Sequence, residues 1–319
     1  MVINSFGVAS TLSSIKGKHF LSSEDLNQDE LLALMNLATQ LKNGDRRIDL
    51  GNRVLGLIFS KASTRTRVSF QVAMARLGGQ TIDLNPQISQ LGRGEPIKDT
   101  SRVLSRYCDV LAIRTFEHKD ILQYSNWSSI PVINALTDLE HPCQAIADFF
   151  TMKEVFGDLK NLNISYIGDG NNVANSLILS GATLGANVTI VTPKGFEPSS
   201  EILEKANTLS INSGSKVFLT NNVLEGVSDA HVLYTDVWAS MGQEEDYLRR
   251  KEVFKDYSID LKLLEHARKD SIVMHCLPAH RGDEISDEIF ESSHSKIFDQ
   301  AENRLHIQQA LLASLLGGL

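Results

Sequence analysis

Ser63-Thr64-Arg65-Thr66-Arg67 sets three hydroxyls and two guanidinium groups in five consecutive residues. They lie between an apolar run, Val54 to Phe59, and a stretch where Phe70, Ala73, Met74 and Leu77 recur at helical spacing before Gly78-Gly79. The pattern reads as strand, tight turn, helix. The first N–H groups of a helix have no intrahelical partner and the dipole there is positive, so such a turn is a ready anion site. Two cations at that end oppose the dipole unless an anion or carboxylate partners compensate them, and guanidinium forks suit phosphate oxygens. The bland alternative is that Ser63 caps the helix and the arginines are solvated.

Other polar groups gather where strands end. Arg114 closes the apolar run Val110 to Ile113, and His141-Pro142-Cys143-Gln144 opens a helix with Pro142 at its first position. Taken alone, His141 reads as a satisfied helix-start histidine. Asp236, in Asp236-Val237-Trp238-Ala239-Ser240-Met241-Gly242, can pair with an α-ammonium, while Ser240 and the Met241 backbone N–H can hold a carboxylate. Taken blind, this is equally a surface loop with one tryptophan. His275-Cys276-Leu277-Pro278 ends a further strand, where Cys276 is equally a small buried apolar residue. His141, Cys143, His275 and Cys276 are zinc-ligand types, but their H-x-C and H-C spacings are not those of structural zinc sites, so no metal is expected. Gly168-Asp169-Gly170-Asn171-Asn172 resembles the start of a dinucleotide loop. The third glycine of that motif is Val173 here, and the next strand ends in Thr192-Pro193-Lys194 without an acidic residue, so no nucleotide cofactor is expected.

These turns need strands and helices to position them. Asn27 and Glu30 have capping-box spacing ahead of an apolar face Leu31, Leu34, Met35, Ala38, Leu41, with Gly44 as the stop. Strands are expected near 81–84, 110–114 and 132–135, a loop over 87–96 and a helix over 98–106. After a polar break at 157–163, strands at 164–167, 188–191, 217–219, 232–235 and 272–274 alternate with helices. Such alternation implies an α/β fold with parallel doubly wound sheets, whose ligands sit at the carboxyl ends of the strands. The Leu- and Ala-rich stretch 305–316 reads as a last helix that packs back on the fold, with Arg304 just ahead of it.

The chain has 319 residues, enough for two domains. The boundaries expected are 1–155 together with 303–319, and 156–302. A net charge of −8 and no basic run make nucleic acid an unexpected partner, and no apolar stretch approaches membrane-spanning length. Three widely separated cysteines argue for a reducing compartment, and the Ser-rich lead-in before Lys16 lacks the basic residues of a targeting signal, so a cytoplasmic location is expected.

Ser63 to Arg67, the HPxQ element at His141 to Gln144, the Asp236 to Gly242 loop, His275 to Pro278 and the Arg304 region resemble, in order, the signature elements of the aspartate and ornithine carbamoyltransferases. The DxWxSMG loop is that of the ornithine branch. The resemblance implies two parallel-sheet domains, with the last helix returning to the first. It implies that carbamoyl phosphate binds to Ser63, Thr64, Arg65, Thr66, Arg67, Arg114, His141, Gln144, Cys276, Leu277 and Arg304, with Gln90 delivered from a neighbouring subunit of a homotrimer. It likewise implies L-ornithine on Asn172, Asp236, Ser240 and Met241, with Arg114, His141, Cys276 and Asp236 the catalytic groups. No cofactor is needed. The resemblance leaves three competitors: transfer to putrescine or an acylated ornithine, a nucleotide-linked oxidoreductase, and a non-catalytic paralogue.

Overall fold

Parallel strands dominate the computed structural model of the chain, which describes residues 5–61, 63–85, 94–239 and 246–319, side chains 5 and 6 excepted. The chain divides into two compact units, Met1–Ile146 with Asn303–Leu319, and Ala147–Glu302. The division falls inside the helix Pro142–Phe156, ahead of the polar break chosen from sequence.

In the first unit, β1 (Val54–Phe59), β2 (Gln80–Leu84), β3 (Val110–Arg114) and β4 (Val132–Leu136) form one parallel sheet in the order β2-β1-β3-β4. Ile58, Leu111, Ile113, Ile121, Tyr124 and Val132 share a core cluster on it. In the second unit, β5 (Asn163–Ile167), β6 (Asn187–Val191), β7 (Val217–Thr220), β8 (Val232–Thr235) and β9 (Ile272–His275) form another, in the order β7-β6-β5-β8-β9. Each sheet reverses its winding once, between β1 and β3 and between β5 and β8. Those are the points where crevices open at the carboxyl ends of strands.

Local sequence explains the helices. Asn27 and Glu30 close the expected capping box on Gln28–Asn43, which stops at Gly44 in the left-handed region. Thr64–Arg76 follows β1 and ends ahead of Gly78, whose φ is +77°. Several described helices differ from the sequence reading, among them Tyr247–Phe254, which carries Arg250, and the following three. His118–Trp127 forms between the strands expected at 110–114 and 132–135, where the sequence reading placed no element, because Ile121 and Tyr124 suffice to bury one face of a polar segment. Ser5–Leu12 is helical, with Val8 and Leu12 wholly buried. The last helix begins at Ile297, not near 305. Its return to the first unit is carried by Lys42 Nζ to Asn303 Oδ1 at 2.8 Å and by Arg304.

Candidate functional site: two half-sites at the strand ends

Every described residue singled out from sequence lies at or just beyond the carboxyl end of β1, β3, β4, β5, β8 or β9, except Arg304 on the last helix. Gln90, Ser240 and Met241 lie outside the described residues.

In the first unit, Ser63 is the N-cap of Thr64–Arg76 in extended geometry, but its side chain makes no capping bond. Its Oγ instead accepts from Arg114 Nη1 at 3.2 Å. The capping alternative for Ser63 therefore fails, and the helix has no acidic residue in its first turn. Arg114 ends β3 where the β3–β4 register slips, a bulge that re-aims the side chain. Thr66 is buried and its Oγ1 accepts from Arg304 Nη2 at 2.7 Å. Arg67 pairs with Asp83 on β2, so the carboxylate partner that a structural reading demands exists for this arginine. The Arg65 side chain has no hydrogen bond or ion pair among the described residues.

Thr64 is exposed, whereas His141 and Gln144 are buried beyond β4. Burial holds the His141 imidazole well below its usual range, with Arg304, Arg114 and Arg65 pushing the same way. Burial lowers Arg114 to about 10, again with Arg304 and Arg65 contributing. Both groups therefore have fixed states at neutral pH, imidazole neutral and guanidinium charged. Three arginines that raise one another's cost are held around a neutral histidine, an arrangement suited to a polyanion.

A stability prediction follows from His141. Its folded pKa is depressed, so below about 6.5 the unfolded chain takes up a proton that the folded chain refuses. Stability is intact above that pH and falls by up to about 1.4 kcal/mol per unit as pH drops toward the folded value. Thermal denaturation from pH 7 to 5 should show a smaller loss for His141→Gln than for the native chain. Equal losses would contradict it.

In the second unit, Asn171 rather than Asn172 takes the cap of the helix Asn172–Leu184. Its Oδ1 accepts from Val173 N at 2.9 Å, Ala174 N at 3.1 Å and the Tyr166 hydroxyl at 3.2 Å. Its Nδ2 donates to Asp236 Oδ2 at 2.8 Å. Asp236 Oδ1 accepts from Val237 N at 2.8 Å and from the Cys276 thiol at 3.0 Å. Asp236 and Cys276 are thus brought together, with the partly exposed Asn172 beside them at the first helical position. Leu277 follows with φ +61°, and the Leu277-Pro278 bond is cis.

Two groups that sequence reasoning missed hold these loops. Arg250 Nη1 donates to Asp169 Oδ2 at 2.7 Å and to Trp238 O at 2.9 Å, tying the turn after β5 to the turn after β8. Burial pushes the Asp169 carboxyl up, opposed by Arg250. The other is Glu284, wholly buried, whose Oε1 accepts a hydrogen bond from His275 Nε2–H at 3.0 Å while His275 Nδ1 accepts from Leu277 N at 2.8 Å. No pattern in sequence joins residues this far apart; only Asn171, a helix-capping type before a helical run, had a local signal.

Asp236, His275 and Cys276 place their potential ligand atoms within 4.8 Å of one another. Both His275 nitrogens are already committed, which leaves a carboxylate and a thiol, a poor set for a resident metal. The Gly168–Asn172 turn is equally unsuited to a pyrophosphate. Gly170 N–H already donates to Phe196 O at 2.8 Å, and a Cβ on Gly170 would meet Pro198 N at 2.4 Å. The backbone approach that a dinucleotide needs is taken by the chain itself.

Two family profiles match the chain. One described as the aspartate/ornithine carbamoyltransferase carbamoyl-P binding domain covers residues 18–154, and one described as the Asp/Orn binding domain covers 160–315. A curated ornithine carbamoyltransferase of Prochlorococcus marinus is 64% identical over 319 residues, 100% of both chains. The crystal structure of ornithine carbamoyltransferase from Gloeobacter violaceus is 48% identical with a TM-score of 0.87, covering 95% of this chain and 99% of that one. That from Pyrococcus furiosus is 44% identical with a TM-score of 0.92, covering 96% and 99%.

Proposed function

Because the chain belongs to the aspartate/ornithine carbamoyltransferase family, we propose that the arginine-ringed first half-site takes carbamoyl phosphate and the Asp236 half-site takes L-ornithine. The protein is a carbamoyltransferase that converts carbamoyl phosphate and L-ornithine to L-citrulline and phosphate. The observation that carries the site assignment is the convergence of Arg65, Arg114 and Arg304 on buried, neutral His141.

In this reading Ser63, Thr64, Arg65, Thr66 and Arg67 hold the phosphate, with Arg67 shared between it and Asp83. Neutral His141, Gln144, Thr66 and Arg114 hold the carbamoyl oxygen and stabilise the charge that develops on it. Cys276 and Leu277 line the carbamoyl group, and Arg304 completes the phosphate shell. Asp236 pairs with the α-ammonium of ornithine, Asn172 and the Ser240-Met241 segment hold its carboxylate end, and orientation supplies much of the rate.

The nucleophile is the δ-amine. With a lysine-like pKa of ~10.4 it is neutral about one time in 2,500 at pH 7, so the site must favour the neutral form by desolvation or by nearby cations. Its nitrogen attacks the carbamoyl carbon, the bond from that carbon to the bridging oxygen breaks, and the phosphate departs with that oxygen and takes the amine proton. No metal, nucleotide or covalent intermediate enters. We further propose a cytoplasmic homotrimer in which Gln90 of a neighbouring subunit completes the phosphate site, serving arginine synthesis or, in reverse, arginine breakdown.

Citrulline formation from carbamoyl phosphate with EDTA present tests this directly. Turnover is expected with L-ornithine and not with L-aspartate, N-acetylornithine or putrescine. Turnover that EDTA abolishes, or a preference for another amine, would overturn the reading.

A further inference from the structure

We propose that Gln300 is a positioning residue for the amino-acid half-site, acting through the backbone of His275. β9 is an edge strand, so its outward N–H and C=O groups need partners other than a strand. Ile272 N–H points inward, to His231 O at 2.9 Å. Val273 points outward and a loop serves it, with its N–H on His294 O at 2.8 Å and Lys296 N–H on its carbonyl at 2.9 Å. Two residues on, the partner is a side chain: His275 N–H donates to Gln300 Oε1 at 2.9 Å.

The same amide turns its nitrogen to the neighbouring strand. Gln300 Nε2 donates to Asp148 Oδ1 at 2.7 Å and to the Tyr234 hydroxyl at 3.0 Å, and that hydroxyl donates to Asp148 Oδ2 at 2.9 Å. Tyr234 lies on β8 opposite Met274. Gln300, Asp148 and Tyr234 are wholly buried, so each bond is made without competing water. Burial pushes the Tyr234 phenol up and keeps it a donor.

One amide thus fixes the end of β9 against the end of β8. The residue after each fixed end is a functional group or leads to one: Cys276 follows His275, and Asp236 lies two beyond Tyr234. The Cys276–Asp236 contact of 3.0 Å is set by where those two backbones stop. A purely structural Gln300 would satisfy buried polar groups and affect stability alone; a positioning Gln300 also sets the affinity of the Asp236 pocket.

The inference rests on the ornithine reading of this half-site. Its test uses full-length enzyme and three variants, with KM for each substrate, kcat and Tm measured together. Gln300→Met preserves volume and removes every hydrogen bond. It is expected to raise KM for L-ornithine about tenfold while KM for carbamoyl phosphate, whose charged partners lie in the first half-site, rises far less. The double variant Asp148→Asn/Gln300→Glu keeps an acceptor for His275 N–H and a donor–acceptor pair at position 148, and its ornithine KM is expected to return to within about threefold of native. A fall in Tm with ornithine KM unchanged in Gln300→Met overturns the proposal, as does a double variant no better than the single one. Asp236→Asn runs in parallel. If it loses ornithine affinity while Gln300→Met does not, only this inference falls; if neither changes ornithine KM, the ornithine assignment itself falls.

Discussion

Arg65→Ala is expected to lower kcat/KM for carbamoyl phosphate by roughly 10²–10³-fold, the loss typical of one preorganised donor to developing charge. Arg65 is the arginine of the turn without a carboxylate among the described residues, whereas Arg67 has Asp83. It is also one of the charges that depress Arg114 and His141. Its presence in the free enzyme is therefore a cost, offset only when an anion arrives. Two readouts separate this from a general folding defect. The ligand-free variant should melt at or above the native temperature, because a repulsive charge is gone. The rise in Tm that saturating carbamoyl phosphate gives the native enzyme should largely vanish. Arg65→Lys keeps the charge but loses the two-pronged geometry, and should fall about tenfold short of native activity. A ligand-free variant that melts well below native with its Tm rise intact would mean that Arg65 is structural.

Much of this architecture was legible from sequence because it obeys local rules. Apolar runs of strand length alternating with helical patterns identify the two parallel sheets, and parallel sheets place ligands at strand carboxyl ends. The turn at Ser63 to Arg67, the helix start at Pro142 and the strand end at His275 are readable on those grounds alone. What was not legible is polar burial. The segment Ile297 to Arg304 looks like a loop by hydropathy, yet Gln300 and Asn303 are wholly buried within a helix. Its polar side chains have partners in distant strands and helices, and a periodicity of apolar residues cannot report them. The same holds for Arg250 with Asp169 and for Glu284 with His275. Asn171 and Asn172 show the limit at single-residue scale. Adjacent asparagines before a helix are equivalent in composition, and only geometry decides that the first is spent on the cap and on Asp236.

The second large effect falls on Asp236. Asp236→Asn is nearly isosteric, removes the charge that would face the α-ammonium and is expected to reduce kcat/KM for L-ornithine by roughly 10²–10³-fold, the loss for truncating one side of a desolvated charge pair. Carbamoyl phosphate binding, whose charged contacts lie in the first half-site and which meets this one only through Cys276 and Leu277, should weaken far less. The local geometry adds a second penalty. Asp236 now accepts from Asn171 Nδ2, Val237 N and the Cys276 thiol, and all three are donors. An amide must turn its own NH₂ toward at least one of them, setting donor against donor, so Cys276 or Asn171 must move. Selectivity distinguishes a lost ammonium contact from a merely distorted pocket. 5-Aminopentanoate carries the same amine and carboxylate without an α-ammonium, so an enzyme that has lost the ammonium contact should discriminate far less between ornithine and 5-aminopentanoate. A distorted pocket would lose turnover with both amines alike and keep their ratio. If the ratio survives in Asp236→Asn, the ammonium lies elsewhere, and the carboxylate exists to hold Cys276 and the Asn171 turn.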